Sequence, residues 1–341
     1  MKILKSIVVA TVVLLFSVPA WSAEEVNVYS ARKENLIKPL LDQFSQSTGI
    51  RVNLITAGAD ALIKRLQTEG RNSPADILLT VDAGRLHAAE AAGLLQSVES
   101  DILNQTIPAH FRDLDNHWFG LSLRSRVIVY SKDRVSKSEL STYEDLADEK
   151  WKGRICIRSS GNIYNQSLLA SLIAHHGVEK AEAWAKAVVA NMARSPKGND
   201  RAQVKAVAVG ECDIAVVNTY YIGKMQTSTK DDGQKEAVAK VAVFYPNQGD
   251  RGAHMNVSGA GVVTHSKNRD NAVKLLEFLV QDESQRWYAE KNFEYPVKAG
   301  VAPSGIVKSW GYPFKQDSLD ITMLGIHNAE AVKVFDRAGW K

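Results

Sequence analysis

Residues 26–56 read VNVYSARKENLIKPLLDQFSQSTGIRVNLIT: a β-rich run, a helical run that ends at Gly49, and a second β-rich run. The same alternation continues through ADALIKRLQTEG (59–70), PADILLTVD (74–82) and AGRLHAAEAAGLL (83–95). The periodicity therefore predicts strand and helix in turn, hence an α/β fold with a mostly parallel sheet and helices on both faces. In such sheets ligands gather at the carboxyl ends of the strands.

The remaining chain predicts a second lobe. HWFGLSLRSRVIVYSKDRV (117–135) is apolar and β-branched, and we expect it to cross from the first lobe into the second. VAVFYPNQGDRGAHMNVSGAGVVTHS (241–266) reads as strand, loop and strand, and returns the chain. Roughly 320 residues after the leader exceed what one hydrophobic core serves. We predict two lobes joined by crossing strands at a hinge, with lobe 1 formed by 24–125 plus 251–300 and lobe 2 by 126–250 plus 301–341.

The N-terminus has the layout of a secretory signal peptide. Lys2 and Lys5 precede an apolar run over residues 7–16, and small residues follow, so we place a cleaved signal peptide at 1–22. An uncleaved anchor helix is the alternative, but the apolar run is short for a membrane span. The chain carries a net charge of +4, and 4 − 2 = +2 without the two leader lysines. This near-neutral charge argues against nucleic acid as a partner.

The chain has two cysteines, Cys156 and Cys212, both in the exported part. Each lies in an apolar, strand-like run, RICIR and ECDIAVV. In an oxidising compartment one disulfide between them is the simplest expectation, with two buried free thiols as the alternative.

Two adjacent tyrosines follow a predicted strand in VVNTYYIGK (216–224). Neighbouring side chains on a regular strand point to opposite faces, so a shared role requires a bend. Asn218 and Thr219 are residue types that cap helices, which places Tyr220 and Tyr221 on a strand-to-helix turn. Both phenols can there face one cleft; one buried and one exposed tyrosine is the alternative.

A second strand end carries a third tyrosine. IRSSGNIYNQS (157–167) runs through Ser160, Gly161 and Asn162 into a helix whose first turn contains Tyr164. Free backbone N–H groups and the helix dipole at such a turn favour an anion. Three phenols beside an anion-binding turn form a hard oxygen site, which suits a highly charged cation such as ferric ion.

These segments, with GECDIAVVNTYY (210–221) and NVSGAGVV (256–263), resemble the periplasmic ferric-ion-binding proteins. Those proteins are the receptors of bacterial iron ABC importers, and the resemblance covers essentially the whole mature chain. It implies a two-lobed periplasmic-binding-protein fold of type II and a ferric ion, taken up free or as a chelate, held by Tyr164, Tyr220 and Tyr221. Carbonate or bicarbonate is the implied synergistic anion. The implied protein is a periplasmic monomer, not an enzyme, that delivers iron to an inner-membrane ABC permease.

The resemblance also gives candidates for anion binding. A guanidinium can hold a planar oxyanion through two parallel hydrogen bonds, which favours Arg124 in LSLRSR, with Arg126 as the competing choice. A solvated surface ion pair is the alternative for either arginine. The anion-binding or neighbouring residues that we predict are Arg124, Ser160, Gly161, Asn162, Asn199 and Asn218.

The first lobe departs from the family pattern. Some members add a His or His-Tyr pair after the first strand and a Glu after the third; here Lys33, Glu34, Val81 and Asp82 stand at those places. We infer a three-tyrosine site completed by anion or water. Glu34 and Asp82 remain possible oxygen ligands, although a solvated carboxylate is the favoured interpretation. Tyr29 is expected to line the cleft or the core.

Two other functions stay open at this stage. The same fold could bind a free oxyanion or a small organic solute, with the tyrosines as hydrogen-bond donors. An exported hydrolase is less favoured, because the sequence has neither a G-x-S-x-G elbow nor an obvious partner base.

Overall fold

The computed structural model describes residues 24–341, so the predicted signal peptide lies outside the described residues. Within this range the chain forms one curled, ten-stranded sheet with helices packed on both faces. The strands are β1 (Glu25–Ser30), β2 (Arg51–Thr56), β3 (Ile77–Val81), β4 (Leu95–Gln96), β5 (Phe119–Ser131), β6 (Ile155–Cys156), β7 (Ile214–Asn218), β8 (Val241–Phe244), β9 (Met255–Val263) and β10 (Tyr295–Pro296).

The helices connect these strands and cover both faces of the sheet. No helix among residues 24–341 is long and apolar enough to cross a membrane. The α-helices are α1 (Lys38–Thr48), α2 (Ala59–Glu69), α3 (Ala83–Ala91), α4 (Asp101–Thr106), α5 (Ile163–His176), α6 (Val178–Asn191), α7 (Asp200–Ala208), α8 (Thr219–Gln226), α9 (Asp232–Ala239), α10 (Arg269–Leu279), α11 (Asp282–Asn292), α12 (Gly305–Lys308), α13 (Thr322–Ile326) and α14 (Asn328–Ala338). Short 3-10 helices cover Glu34–Leu36, Gly70–Asn72, Ala109–Phe111, Lys137–Glu139, Glu144–Ala147 and Glu149–Trp151.

The first strands and helices follow the sequence pattern. α1 carries Pro39 at its N-terminus, where the missing N–H is not needed, and ends at Gly49 with a left-handed φ of 76°. β1 pairs in parallel with β2 and β3, as the alternation of strand and helix predicts.

The prediction of a mostly parallel sheet is wrong for the molecule as a whole. Among the named strands of residues 24–341, β6 and β7 form the one further parallel pair, and the remaining strand pairs are antiparallel. The reason is that β5 and β9 run in opposite directions along the middle of the sheet and impose antiparallel pairing on their neighbours.

β5 is the strand that joins the two halves of the sheet. Its first part pairs with β9 as far as Ser125, and from Arg126 onward it pairs with β7 and β8. Its side chains alternate between two hydrophobic clusters: Val127 and Val129 belong to one, Ile128 to the other. We therefore keep the proposed lobe boundary between residues 125 and 126.

The C-terminal helices pack differently from one another. α14 lies against α5 and α6 in the second lobe, whereas α13 lies against both α3 of the first lobe and α5. α13 and α3 approach closely at Gly325, where an added Cβ would lie 2.3 Å from the Cβ of His87. Segment 301–341, which we assigned to lobe 2, thus also contacts lobe 1.

Cys156 and Cys212 form a disulfide, so the prediction of a bridge is confirmed and the free-thiol alternative is wrong. Cys156 ends β6 and Cys212 precedes β7, its parallel neighbour, which brings the two Cα atoms to 5.8 Å.

Candidate functional site

The three predicted tyrosines lie together at the carboxyl ends of β6 and β7. Tyr164 is in the first turn of α5, and Tyr220 and Tyr221 are in the first turn of α8. The phenol oxygens of Tyr220 and Tyr164 are 3.2 Å apart, and the rings of Tyr220 and Tyr221 are 4.5 Å apart between centroids. All three line one cleft of about 340 Å³. The alternative of one core and one solvent-facing tyrosine is therefore wrong.

The turn before α5 contributes less than its sequence suggests. The backbone N–H groups of Ser160 and Asn162 donate to the carbonyls of Lys341 and Ser159, which leaves that of Gly161 without a backbone acceptor among the described residues. Asn162 stands at the N-cap position of α5, but its side chain makes no capping hydrogen bond, and its buried Oδ1 has no hydrogen-bond partner within residues 24–341. None of the three predicted residues is among those that line the cleft, whereas Tyr164 is.

Asn218 and Asn199, both predicted near the anion, have different positions. The Nδ2 of buried Asn218 lies 3.4 Å from the phenol oxygen of Tyr220, and its Oδ1 accepts a hydrogen bond from Arg126. Asn199 is exposed, and its side-chain oxygen accepts the N–H of Ala202 and so caps α7. The structure therefore brings Asn218 to the tyrosines and uses Asn199 as a helix cap.

Arg124 and Arg126 are 2 % and 1 % exposed, so the alternative of a solvated surface ion pair is wrong for both. Arg126 donates to Asn218 and to the Val216 carbonyl, and lies 3.8 Å from Asp200. These contacts hold the buried Arg126 side chain against β7 and the start of α7.

Arg124 makes fewer hydrogen bonds than Arg126 and lies beside a cleft tyrosine. Its Nη1 donates to the hydroxyl of Ser258, and its guanidinium carbon lies 5.5 Å from the Tyr164 ring centre. Its buried Nη2 is 3.8 Å from an oxygen of Asp82 and has no hydrogen-bond partner among the described residues. Among the described residues Nη2 of Arg124 and Nε of Arg126 both lack a partner, and a buried donor without one is costly. Arg124 is the preferred anion partner because it also lies beside Tyr164.

Several basic residues that the sequence analysis missed surround the phenols. Arg201 lies 5.0 Å from the ring centre of Tyr221, and the Nζ of Lys224 lies 5.0 Å from that of Tyr220. Arg158 lies 5.7 Å from the Tyr164 ring centre. Lys224 could have been found, because it stands four residues after Tyr220 on the same helix face. Arg158 and Arg201 carried no comparable signal.

The first lobe adds further charges to the cleft lining. Arg32 and Lys33 line the same cleft as the tyrosines. Arg32 forms a buried ion pair with Glu294 at 2.6 Å, so its charge is largely balanced. The cleft is therefore basic overall, which favours an anion alongside any metal ion.

Burial changes the acidity of the cleft side chains. It raises the pKa of the Tyr220 phenol well above its usual 10, and it raises the pKa of Tyr221 to about 12. Burial also lowers the pKa of Lys224 to about 8. Without a metal ion both tyrosines are thus neutral at pH 7, and an ion that binds their oxygens must displace protons.

Neither of the two predicted first-lobe carboxylates, Glu34 and Asp82, lines the cleft with the tyrosines. Glu34 is exposed and does not line the cleft, in agreement with a solvated carboxylate. For Asp82 that interpretation is wrong, because it is fully buried and accepts hydrogen bonds from Gly84, Ser167 and Asn256. Ser167 belongs to α5, so Asp82 connects the start of α3 to α5.

Tyr29 is buried, and its hydroxyl donates to Glu69 at 3.0 Å. It is therefore a core residue, one of the two positions predicted for it.

Comparison with known proteins assigns the family. Residues 40–313 match the family model described as bacterial extracellular solute-binding protein. The chain belongs to this family. Similar solved structures and named relatives confirm the predicted type II, two-lobed solute-binding fold and the resemblance to ferric-ion-binding proteins.

Individual members of the family are similar along most of the chain. The iron uptake protein A1 of Synechocystis is 51% identical, over 93% of this chain and 88% of its own length. The Fe(3+)-binding periplasmic protein of Serratia marcescens is 31% identical, over 87% of this chain and 86% of its own. The Trichodesmium protein IdiA (FutA), solved in complex with iron and citrate ligands, is 51% identical with a TM-score of 0.90, over 93% of this chain and 100% of that one.

Proposed function

We propose that this protein is a periplasmic receptor that binds ferric ion through Tyr164, Tyr220 and Tyr221 and delivers it to an inner-membrane ABC permease. The observation that carries the proposal is the meeting of three phenol side chains in one cleft, with two of their oxygens 3.2 Å apart. Three phenolates balance the charge of one ferric ion, and phenolate is a hard oxygen ligand that suits it.

An anion completes the proposed site. Arg124 is its first candidate partner, because the buried Nη2 needs an acceptor. Arg201 and Lys224 supply further positive charge that offsets an added anion. We propose carbonate or bicarbonate, with citrate as the competing anion because a relative was solved with iron and citrate. Both anions present planar carboxylate-like oxygens to a guanidinium.

The relatives support the transport role. Proteins 51% and 31% identical to this chain are named for iron uptake and for periplasmic Fe(3+) binding. A binding protein of a transporter needs no catalytic base, and we propose that this one is a monomer without enzymatic activity. The iron-related names do not favour the alternative of a free oxyanion or organic solute as the cargo.

The proposed mechanism is closure of the two lobes over the ion. The tyrosines belong to the second lobe, Arg32 and Lys33 approach from the first, and β5 connects the two. Closure would bring the first-lobe charges against the bound anion, and reopening at the permease or protonation of the phenolates would release the ion.

The test is a visible-absorption titration of the iron-free protein with a ferric chelate, in buffers with bicarbonate, with citrate, or with neither. We expect a tyrosinate-to-iron charge-transfer band that saturates near one iron per protein. Tyr220→Phe and Tyr221→Phe should weaken the band, whereas Tyr130→Phe, a change of the same size on β5 outside the cleft lining, should not. The absence of a band in every buffer would refute the proposed function.

A further inference from the structure

We propose a second metal site, for a divalent transition-metal ion such as Zn²⁺, on the first lobe between the end of α3 and the loop that leads into β5. Glu90, Asp113 and His117 each offer one ligand atom there, and these atoms lie within 4.8 Å of one another. None of the three lines the tyrosine cleft. The inference is independent of the proposed function.

Asp113 is held in place before any ion binds. It begins a tight loop in which its backbone N–H donates to the Trp118 carbonyl at 3.0 Å. Its Oδ2 accepts the backbone N–H groups of Asp115 and His117, each at 3.1 Å. The residue is buried, yet no donor among the described residues reaches its other oxygen, Oδ1. A fixed carboxylate with one uncommitted oxygen is a preorganised metal ligand.

Each of two carboxylates of the site has an imidazole beside it. The Nδ1 of His117 lies 2.9 Å from the Oδ2 of Asp113, and the Nδ1 of His87 lies 3.1 Å from the Oε2 of Glu90. The Nδ1 of His117 and the Oδ2 of Asp113 are close enough to bind one ion together, with the ion replacing the proton that they share. The side chains of His87, Glu90 and His117 are 23 %, 23 % and 28 % exposed, so an ion can reach them from solvent.

The donor set determines the class of ion. Imidazole nitrogen together with carboxylate oxygen suits Zn²⁺ and other divalent transition metals, whereas the phenols of the cleft suit a harder ion. Ligand atoms about 2.0–2.2 Å from one ion lie within about 4.4 Å of each other, so side-chain shifts of a few tenths of an ångström would complete the site. Bound Zn²⁺ would connect α3 to the loop before β5 and stabilise the first lobe by mass action.

The test is a calorimetric titration with Zn²⁺ alone, on the full mature chain carrying Tyr164→Phe, Tyr220→Phe and Tyr221→Phe so that the cleft cannot supply phenolate ligands. We expect one Zn²⁺ per chain. Separate His117→Gln and Glu90→Gln substitutions in this background should each weaken binding at least about tenfold. The matched control is His265→Gln, a change at an exposed histidine of the first lobe, which should leave the affinity within about twofold.

Thermal unfolding in chelator, followed by circular dichroism, shows whether each variant is folded. Zn²⁺ should raise the midpoint of the folded parent and raise it less in the two site variants. Absence of Zn²⁺ binding by the parent chain, or equal affinity in the His117, Glu90 and His265 variants, would overturn the second site. If one site variant fails to fold, the other decides.

Discussion

Ferric-ion binding should release protons from the cleft tyrosines, and the number released should fall when one tyrosine is removed. At pH 7 Tyr220, whose pKa lies well above 10, and Tyr221, with a pKa of about 12, are both neutral because they are buried. As phenolate ligands they must lose their protons, so we expect about two protons per ion from this pair. Each proton released makes the affinity about tenfold greater per unit rise in pH, hence about 100-fold for the two.

The perturbation is Tyr221→Phe, which removes one titrating oxygen and preserves most of the ring contact with Tyr220. We expect the number of protons released per ion to fall by about one. For each unit rise in pH, the ferric-ion affinity of the variant should then increase about tenfold less than that of the unmodified protein. Isothermal calorimetry at pH 7 in buffers of different ionisation enthalpy measures the count directly. The same ferric chelate is used throughout, so the protons exchanged by the chelator cancel in the difference.

Tyr130→Phe is the matched control and should release as many protons as the unmodified protein. Equal counts for the unmodified protein and Tyr221→Phe would refute the reasoning, because Tyr221 would then not bind the ion as a phenolate. Reduced counts in both variants would also refute it, because the loss would not be specific to the cleft.

Three further predictions follow from particular residues. Arg124→Lys should weaken the anion-dependent part of ferric-ion binding about 10- to 100-fold, as loss of a charge-assisted hydrogen bond implies, in titrations with and without bicarbonate or citrate. Burial lowers the pKa of His254 to about 3, so the folded protein resists protonation of this histidine, whereas the unfolded chain is protonated below its pKa near 6.5. The free energy of unfolding should therefore fall by about 2 kcal/mol between pH 7 and pH 5, measured by urea unfolding. In His254→Gln the free energy of unfolding should fall less over the same pH range. Removing the 56-residue cross-link with Cys156→Ser plus Cys212→Ser should lower the free energy of unfolding by about 4 kcal/mol, measured in the same way.

Each of these predictions has its own contrary result. An unchanged anion dependence in Arg124→Lys would remove Arg124 from the anion site. The same loss of stability in His254→Gln as in the unmodified protein would mean that other groups cause the acid sensitivity. A double serine variant as stable as the oxidised protein would mean that the cross-link does not restrict the unfolded chain.

The sequence identified the tyrosines because their surroundings are local. Val216 and Val217 form a buried strand, Asn218 and Thr219 begin a helix, and the turn between them positions Tyr220 without help from distant residues. Tyr164 is placed by the same logic at the start of α5. Periodicity and capping are properties of short segments, so they can be read along the chain.

Failed predictions concern residues whose surroundings come from distant segments. Asp82 is predicted to be solvated, yet it is buried and accepts hydrogen bonds from Ser167 of α5 and Asn256 of β9. The ordering of the sheet, with antiparallel β5 and β9 at its centre, is likewise a long-range result.

By itself the sequence determined the alternating strands and helices, the two lobes, the disulfide and the three phenols of the cleft. Most of these features depend on local sequence patterns, and two cysteines allow only one disulfide pairing. Only the tertiary structure decided which charges lie near those phenols, which arginine lies beside Tyr164, and which side chains gather at the end of α3. Arg124, Arg201 and Lys224 come from three separate elements, and electrostatic interactions depend on distances in space rather than along the chain.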